Sequence, residues 1–359
     1  MSKKPLSKIL GIVIPTVYGI FLAGFGTYSV VDTLFIPKAK QKVSFDFGQY
    51  NSSSSIKDPS SKSNSSAQSS SGATSGSQNS SSGNSSSSHT GISDDLFSDT
   101  VVLTENQYID QNLHIDIHTE VVQTRHLRED RLMDTTVYCA HVYVRHFSHL
   151  RTSFSHDLYG DNLTEWTSKN AKRQGAIFAI NGDNYGGQEA GYVLRNGQIF
   201  RNTARRNTED VVMYKDGSFE TYLEKDYTLE QIKDKNGVDS AWQVWSFGPA
   251  LVKNGQRAVE ESDEVDVFSR YGNQRCSIGM VEPYHYVCAV CDGRLDESYG
   301  MQLFEMADYM IKEGCQVAYN LDGGGSSSFV FNDVRMNKPL TNPGDQIKER
   351  GVSDIVYFA

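Results

Sequence analysis

The stretch YNLDGGGSSSFVF at Tyr319–Phe331 decides how this chain folds. The apolar run at 316–321 predicts a buried strand, and the apolar run at 329–331 predicts the next one. The loop between them holds Asp322 and then three glycines, which allow close approach to the backbone and can present several N–H groups to an anion. An ordinary hairpin loop explains the same composition, whereas a nucleotide-type phosphate loop would need a Lys-Ser or Lys-Thr pair that opens a helix.

The charge of the chain is acidic outside its first part. The 359 residues carry a formal net charge of -10 at pH 7, although residues 1–48 hold six lysines against only Asp32 and Asp46. Surfaces that neutralise the phosphates of nucleic acids need an excess of Lys and Arg. The composition therefore predicts no nucleic-acid partner, and it is still compatible with a local basic pocket.

A membrane anchor is predicted near the N-terminus. Residues 9–31 contain no charged side chain and are long enough for the roughly 20 residues that a helix needs to cross a bilayer. No small-x-small cleavage site follows directly, which favours an uncleaved signal anchor with residues 1–8 in the cytoplasm. Lysines lie both before the span and in the juxtamembrane segment 32–48, so the positive-inside rule alone gives no orientation.

A serine-rich segment separates this anchor from the folded part. Residues 49–93 hold mainly Ser, Gly, Asn and Gln and cannot bury enough apolar surface to offset the entropy of ordering, so we predict a disordered linker. Such a tether can hold a domain away from a membrane surface. We therefore predict a single-pass protein of the cell membrane whose domain at 94–359 is extracytoplasmic.

The residues at 94–359 suit one large domain. Period-two alternation predicts strands at Leu113–His118 and Val137–Val144. Apolar residues at helical spacing predict a helix at Met301–Lys312, with Gly314 as its C-cap. The fold class that we predict is α+β, a β-rich single domain with a mixed sheet.

The five cysteines are an odd number, so they cannot all pair within one chain. They are Cys139, Cys276, Cys288, Cys291 and Cys315. Cys288 and Cys291 are three residues apart on a predicted strand, so their side chains point to opposite faces. We interpret them as buried small hydrophobic residues instead of a redox or metal half-site.

A second possible metal site lies on the first predicted strand. His114, Asp116 and His118 share one face of that strand, and such a row could bind a metal ion. A solvent-exposed sheet face explains the same row equally well. The sequence therefore assigns no metal ligands.

Polar side chains follow three predicted strands at the point where each strand ends. They are Asn181 and Asp183, Asp292 and Arg294, and Asn320 and Asp322, with Arg275 and Arg350 nearby in sequence order. Carboxylates, guanidinium groups and exposed backbone N–H groups together suit a phosphorylated or acidic sugar. Plain turns and ordinary ion pairs are the alternative for each of these residues.

Seven motifs in this order resemble the phosphodiester glycosidase family. They are AING at Ala179–Gly182, SFGPAL at Ser246–Leu251, Arg275 with Ile278-Gly279, Asp292-Gly293-Arg294, GMQL at Gly300–Leu303, NLDGGGSS at Asn320–Ser327, and Glu349-Arg350. The family includes the catalytic domain of N-acetylglucosamine-1-phosphodiester α-N-acetylglucosaminidase and bacterial proteins often labelled as exopolysaccharide biosynthesis proteins. The resemblance covers most of Leu113–Ala359.

Two departures from the family pattern leave the substrate preference open. Many members carry Pro-Arg-Thr where this chain has Gln274-Arg275-Cys276. Many also carry Gly-Tyr-Phe after the Asn-Gly pair, where this chain has Asp183-Asn184-Tyr185. Arg275 and Asn181 are retained, so the phosphate and sugar groups keep plausible partners.

The resemblance implies hydrolysis of a sugar-1-phosphodiester, with no required cofactor and with a divalent cation left open. We expect Asp292 and Asp322 to form the catalytic carboxylate pair and Asn181 and Asp183 to bind sugar hydroxyls. The other predicted substrate-binding residues are Arg275, Arg294, Asn320, Gly323, Gly324, Gly325, Ser326, Ser327 and Arg350. The substrate would belong to a cell-envelope glycan or exopolysaccharide.

Two other classes of function fit the same residues. A non-catalytic surface module could bind an anionic glycan in the same pocket without turnover. A metal-dependent phosphodiesterase would break the bond on the other side of the phosphate oxygen and would use Asp183, Asp292 and Asp322 as metal ligands.

Overall fold

A computed structural model of the protein describes residues 36–50, 92–126, 129–205, 207–260 and 272–359. The predicted membrane anchor at 9–31 and nearly all of the predicted linker at 49–93 lie outside the described residues. Within the described ranges, none of the helices has the length and apolar character needed to cross a bilayer.

The described residues form mostly β-strands with few helices. The strands are β1 Lys38–Lys42, β2 Val102–Leu103, β3 Gln107–Ile109, β4 Leu113–His126, β5 Arg131–Val144, β6 Leu150–Phe154, β7 Leu158–Asp161, β8 Phe178–Asn181, β9 Val193–Arg195, β10 Gln198–Arg201, β11 Glu209–Tyr214, β12 Phe219–Leu223, β13 Ala241–Trp245, β14 Ala250–Lys253, β15 Gln256–Arg257, β16 Arg275–Glu282, β17 His285–Cys291, β18 Val317–Asn320, β19 Phe329–Phe331, β20 Val334–Arg335 and β21 Asp354–Phe358. The α-helices are α1 Thr167–Gln174, α2 Leu229–Lys233 and α3 Leu303–Lys312.

Within this part of the chain the strands form four sheets. The largest has the order β15-β14-β18-β16-β17-β5-β4-β3-β2, and two five-stranded sheets have the orders β10-β9-β13-β11-β12 and β20-β19-β8-β21-β6. A small sheet pairs β1 with β7. All of the described pairings are antiparallel, so the predicted mixed sheet is wrong. Neighbouring strands such as β18 and β14 are far apart in sequence, and hydrophobic patterning alone does not specify their relative direction.

Both faces of the nine-stranded sheet are buried. On one face, Ala140 and Val142 belong to the same core cluster as Trp242 of a five-stranded sheet. On the other face, Val137 belongs to a second cluster that includes Met306 of α3. Successive side chains of strand β17 belong alternately to the first and the second cluster, because successive side chains on a strand point to opposite faces.

The cysteines follow this alternation. Cys288 belongs to the first cluster and Cys291 to the second, which confirms that the two thiols point to opposite faces. All five cysteines are buried and none forms a disulfide.

The helix predicted at Met301–Lys312 is confirmed as α3. Its amino end carries a capping box between Gln302 and Glu305, and Gly314 follows its carboxyl end with a φ of 88°. The C-cap residue is Glu313, one position before the predicted Gly314. A positive φ favours glycine, so Gly314 ends the helix at the position just after the cap. The chain then turns back into β18, the strand that leads to Asp322.

The described part of the predicted juxtamembrane segment, residues 36–48, packs against the folded domain. Strand β1 pairs with β7, and Val43 and Phe45 pack with Phe154 and Tyr159. The side chains at 43, 45 and 47 alternate as on a strand, so one apolar face is available for packing. The folded unit therefore includes residues 36–50 in addition to the described residues of the predicted domain at 94–359.

Strand register brings several polar loops together at one end of the nine-stranded sheet. Ser277 pairs with Asn320, and Arg275 pairs with Cys291. The loops that follow Asn320 and Cys291 therefore emerge beside Arg275. The loop after Asn320 continues directly into β19 of a five-stranded sheet, so this end lies where two sheets meet.

Candidate active site

A pocket of about 370 Å³ opens at this end of the nine-stranded sheet. Its lining combines cationic, amide, carboxylate and apolar groups. The lining residues are Phe247, Gly248, Pro249, Asn273, Arg275, Arg294, Leu303, Asn320, Asp322, Gly323, Gly324, Thr341, Asn342 and Arg350. Seven of the thirteen residues predicted for the site therefore lie together.

Three arginines line the pocket. Arg275 is buried and its Nε donates to the carbonyl of Met301 at 3.0 Å. Arg294 has a positive φ of 61° and donates from Nη1 to the carbonyl of Thr341. Burial, and then the positive charge of Arg350, lower the pKa of Arg294. Two cations that repel each other at one site favour binding of an anion between them.

Asp322 is the carboxylate of this pocket. Its side chain is 11% exposed, and its oxygens lie 3.4 and 3.3 Å from Nη2 of Arg350. Burial raises the pKa of Asp322 above its usual value, and the charge of Arg350 opposes this rise. The carboxylate is therefore held in a partly desolvated position with one cation beside it.

The glycine loop after Asp322 lies against other parts of the chain so closely that side chains would not fit. A Cβ added at Gly323 would lie 2.9 Å from the carbonyl oxygen of Gln274, and one added at Gly325 would lie 2.6 Å from Oγ1 of Thr341. Gly324 has a φ of 59°, and a Cβ there would lie 3.2 Å from Nη2 of Arg294. Gly323 and Gly324 line the pocket, whereas Gly325 packs beside it.

The serines of the loop do not line the pocket. Ser326 accepts hydrogen bonds from Nε and Nη2 of Arg350 at 2.9 and 2.7 Å, so it positions that guanidinium group. Ser327 is buried, and its hydroxyl has no hydrogen-bond partner among the described residues. Ser326 therefore supports Arg350 in this structure, and the predicted substrate contacts of Ser326 and Ser327 stay predictions.

Asn320 offers a free acceptor to the pocket. Its Nδ2 donates to the carbonyl of Gly248 at 2.8 Å, while its buried Oδ1 has no partner among the described residues. A buried acceptor without a hydrogen bond is costly, so a bound hydroxyl or amide at this position would be favoured.

Asn181 and Asp183 are fully buried and are not among the residues that line the pocket. The Nδ2 of Asn181 donates to the carbonyl of Asp322 at 2.7 Å, and its Oδ1 accepts from the backbone of Ser328 at 3.1 Å. Asn181 thus fixes both ends of the glycine loop. The structure therefore does not bring Asn181 together with the residues that line the pocket, and its predicted contact with sugar hydroxyls stays a prediction.

Asp183 belongs to a buried ion-pair network. Its Oδ1 lies 2.8 Å from Nη2 of Arg195, whose Nε lies 2.9 Å from Oδ2 of Asp354. The second oxygen of Asp183 accepts from the backbone of Ser246 at 2.9 Å. All three charged side chains have an exposure of 0%, so the structure places Asp183 in the core and not in the pocket, and its predicted contact with a sugar stays a prediction.

Asp292 lies outside the pocket lining. Its Oδ1 accepts from the backbone of Lys338 at 2.7 Å, and its Oδ2 accepts from the hydroxyl of Tyr138 at 3.1 Å. Burial raises the pKa of Asp292, and these hydrogen bonds oppose the rise. Both oxygens hold neighbouring segments, so the structure places Asp322 but not Asp292 in the pocket lining, and the catalytic role of Asp292 stays a prediction.

The predicted row of His114, Asp116 and His118 does not form a site of its own. Nε2 of His114 lies 2.8 Å from Oδ2 of Asp116. His118 instead lies among side chains from β5 and α3, with Nε2 at 3.8 Å from Oε1 of Glu313. Single-strand reasoning could not find these partners, because they come from other elements.

Several lining residues were missed by the sequence reasoning. Thr341 and Asn342 belong to no motif named above, and Phe247 and Pro249 belong to the SFGPAL motif but were not assigned to the site. A Pro-Leu-Thr-Asn-Pro-Gly-Asp run marks the first of these loops as irregular and polar, which was the available signal. Nothing local indicated that it faces Asp322.

Comparison with known proteins agrees with this geometry. Residues 174–359 match the family model described as phosphodiester glycosidase. The chain is 27% identical over 207 residues to the SPbeta prophage-derived uncharacterized protein YomE of Bacillus subtilis, covering 56% of this chain and 30% of that protein. It is 28% identical over 200 residues to the N-acetylglucosamine-1-phosphodiester alpha-N-acetylglucosaminidase of Bos taurus, covering 52% of this chain and 37% of that protein. The chain thus spans about a third of the length of these relatives.

The fold agrees as well. The structure of the zebrafish N-acetylglucosamine-1-phosphodiester alpha-N-acetylglucosaminidase catalytic domain, auto-inhibited by its pro-peptide, superposes with a TM-score of 0.56 at 19% identity. That match covers 68% of this chain and 83% of the zebrafish domain. The family model spans more than half of the chain and includes every residue of the pocket lining. This chain belongs to the phosphodiester glycosidase family.

Proposed function

We propose that the chain hydrolyses a sugar-1-phosphodiester at the bond between the anomeric carbon and the phosphate oxygen. The observation that carries this proposal is the pocket in which three arginines and Asp322 converge beside a glycine loop. Guanidinium groups bind phosphate oxygens with paired hydrogen bonds, and a carboxylate can perform acid/base or nucleophilic work at an anomeric carbon. The name of the bovine relative supports N-acetylglucosamine as the first sugar to test.

The proposed step balances as a hydrolysis. A water oxygen forms a bond to the anomeric carbon while the bond from that carbon to the phosphate oxygen breaks. The bonding electrons leave on the phosphate oxygen, and the proton that water loses goes to the carboxylate of Asp322. The products are the free sugar and a phosphomonoester.

A single carboxylate is sufficient for this step. The second pKa of a phosphomonoester is about 6, so this group leaves as a stable anion near neutral pH without a general acid. The three arginines stabilise the charge that develops on it. The position of Asp292 outside the pocket lining is therefore compatible with catalysis.

The remaining lining groups would bind the sugar. Phe247, Pro249 and Leu303 provide apolar surface for a ring face, and the free Oδ1 of Asn320 would accept from a hydroxyl or an acetamido N–H. Asn342 adds a further amide at the rim. We place the sugar on this side of the pocket and the phosphate between Arg275, Arg294 and Arg350.

The positions of Asp183 and Asp292 speak against the metal-dependent phosphodiesterase. That mechanism needs Asp183, Asp292 and Asp322 to converge on one ion, yet Asp183 pairs with Arg195 and Asp292 holds Lys338 and Tyr138. The geometry therefore supports attack at carbon more than metal-assisted attack at phosphorus.

A product assay tests the proposal. The purified chain would be incubated with the phenyl phosphodiester of N-acetylglucosamine 1-phosphate, with and without a chelator. We expect N-acetylglucosamine and phenyl phosphate as products in both cases, with an inverted anomeric configuration because Asp322 acts on water. Release of phenol and sugar 1-phosphate would overturn the proposal in favour of a phosphodiesterase, and binding without product would favour a glycan-binding module.

We further propose that the protein acts outside the cytoplasm on a cell-envelope glycan or exopolysaccharide, held by a membrane anchor at 9–31. The support is the charge-free sequence of that span followed by the serine-rich segment 49–93. Protease added to intact cells should release the domain and cut first within 49–93. Protection of the domain until the membrane is permeabilised would contradict this placement.

A further inference from the structure

A cluster of four potential metal ligands lies on the face of the nine-stranded sheet that α3 covers. The side chains are His118, Cys139, His141 and Glu313, and their ligand atoms all lie within 4.8 Å of one another. Nε2 of His141 is 3.1 Å from Oε2 of Glu313, and Nε2 of His118 is 3.8 Å from Oε1 of the same carboxylate. None of these residues lines the candidate active site.

The register of the sheet brings three of the four together. His118 on β4 is directly opposite Cys139 on β5, and directly opposed residues point to the same face. His141 is two residues beyond Cys139 on the same strand and therefore shares that face. Glu313 reaches the group from the carboxyl end of α3, where it is the C-cap residue.

We propose that these four side chains bind a structural zinc ion. A thiolate with two imidazoles and one carboxylate matches the donor types that zinc takes in four-coordinate sites. The thiolate disfavours magnesium and calcium, which prefer oxygen ligands. Four protein ligands leave no open position for water, which is the pattern of a structural site and not of a catalytic one.

The geometry needs little adjustment to fit the ion. Zinc bonds of about 2.0–2.3 Å place tetrahedral ligand atoms roughly 3.3–3.7 Å apart, so the widest separations must shrink by about 1 Å. The side chain of His118 is 43% exposed, so its imidazole has room to rotate inward. Cys139 is fully buried and fixes the inner corner of the site.

Neighbouring groups support the ligands. Nδ1 of His141 lies 3.0 Å from Nε2 of His285, a contact that holds the ring with its Nε2 directed at Glu313. The nearby ammonium of Lys312 lies 2.5 and 2.7 Å from the carboxylate oxygens of Glu120. That ion pair partly neutralises the cation that would otherwise repel a metal ion.

The ion would join parts of the chain that are distant in sequence. It would tie the β4–β5 pair to the end of α3, and Leu303 at the start of the same helix lines the active-site pocket. The helix rises about 1.5 Å per residue, so the two ends are roughly 15 Å apart. The site is therefore suited to fix the helix that borders the pocket while taking no part in the chemistry.

Metal binding by the purified full-length chain tests this proposal. The chain would be stripped of metal, titrated with zinc against a competing chelator, and separately loaded with cobalt. We expect about one tightly bound zinc ion per chain, a higher unfolding midpoint with zinc, and the near-ultraviolet charge-transfer band of a cobalt–thiolate bond.

Variants assign the ligands. Cys139→Ser should abolish the cobalt–thiolate band. Glu313→Gln changes a ligand at the partly exposed edge of the cluster and should weaken zinc binding by at least about 10-fold, as expected for loss of a ligand or its support. Cys288→Ser is the matched control, because Cys288 is equally buried but belongs to the cluster on the opposite face of the sheet. His114→Ala is the matched histidine control on β4.

The outcomes are distinguishable from those of the hydrolase assay, because the readouts are metal content and a cobalt spectrum. Absence of stoichiometric zinc from the folded wild type would overturn the proposal. A cobalt–thiolate band that survives in Cys139→Ser, or one that is lost equally in Cys288→Ser, would also overturn it. If Glu313→Gln binds zinc as tightly as wild type does, Glu313 is not a ligand and the four-ligand assignment is wrong.

Discussion

Two strand ends in this protein carry almost the same residues and have different tasks. Strand β8 ends at Asn181 and is followed by Gly182-Asp183, and β18 ends at Asn320 and is followed by Leu321-Asp322. Asp183 is fully buried against Arg195, whereas Asp322 lines an open pocket beside Arg350. The position of a strand end between the sheets, and not the residue types, decides whether its carboxylate supports the fold or meets a ligand.

The two strand ends are also joined. Nδ2 of Asn181 donates to the carbonyl of Asp322 at 2.7 Å, so the motif at the end of β8 holds the motif that lines the pocket. The first motif therefore supports the fold and the second takes part in the proposed reaction, and this difference can be tested. Changes at Asn181 and Asp183 should act on stability, and changes at Asn320 and Asp322 should act on turnover.

The largest expected effect is on turnover by Asp322→Asn. This substitution keeps the shape of the side chain and removes its charge, so kcat should fall by about 10²- to 10⁴-fold. The buried carboxylate has a raised pKa in the folded chain, so the unfolded chain ionises first as the pH rises and the ionised group lowers stability at neutral pH. The unfolding midpoint of the variant should therefore be unchanged or higher.

Steady-state kinetics and thermal unfolding of Asp322→Asn check this, with Asp308→Asn as a control at an exposed ion pair with Arg257. A kcat within about threefold of wild type would remove Asp322 from the chemistry.

The reverse pattern is expected for Asp183→Asn. Removing one partner of a buried ion pair leaves the guanidinium of Arg195 with less compensation, which typically lowers the free energy of unfolding by about 3–5 kcal/mol. Turnover per folded molecule should stay within a few-fold of wild type. Urea unfolding together with active-site titration separates the two effects, and a stable variant with lost kcat would break the comparison.

A smaller effect is expected for Arg294→Lys. The ammonium cannot reproduce the paired donors of a guanidinium, so the loss of about 1.5–3 kcal/mol of phosphate binding should raise KM about 10- to 100-fold. The value of kcat should fall as well, but by less than in Asp322→Asn, because two of the three arginines still stabilise the charge that develops on the leaving phosphate. Arg257→Lys is the matched control, because Arg257 pairs with Asp308 and is not among the residues that line the pocket. An equal KM for both variants would exclude Arg294 from phosphate binding.

The smallest effect concerns pH. A base must be ionised, so kcat/KM should fall as the pH drops through the pKa of Asp322, which burial places above the usual 3.8. Arg350 opposes that rise, so Arg350→Ala should move the acidic limb to higher pH. Profiles of both proteins measure the shift. If the acidic side of the pH profile is the same in Arg350→Ala and in wild type, Asp322 is not the base. The same conclusion would follow if activity were lost only toward alkaline pH.

The sequence predicts the local features of the fold well. The strand, glycine loop and strand at 317–331 and helix α3 with Gly314 all follow from periodicity and from cap residues within a few positions. The pairing of β1 with β7 was not predictable, because its partner lies more than a hundred residues away. The same is true of the antiparallel direction of neighbouring strands.

The site was predictable only in part. Arg275, Arg294 and Arg350 join Asp322 in the pocket as the family resemblance implies. Sequence reasoning could not tell which strand-end carboxylates remain accessible, since the burial of Asp183 depends on the sheets that pack around it. Recognising Asn342 as a lining residue likewise required the three-dimensional course of a loop.

The most direct test of the central claim is the position of oxygen-18 after turnover in labelled water. Hydrolysis at the anomeric carbon by the pocket around Asp322 predicts that the label appears on the anomeric hydroxyl of the released sugar, with none on the phosphomonoester. Mass spectrometry of both products, analysed before the sugar exchanges oxygen with the solvent, gives the answer. Label on phosphorus would contradict the account, because the phosphate and not the sugar would then be the site of attack.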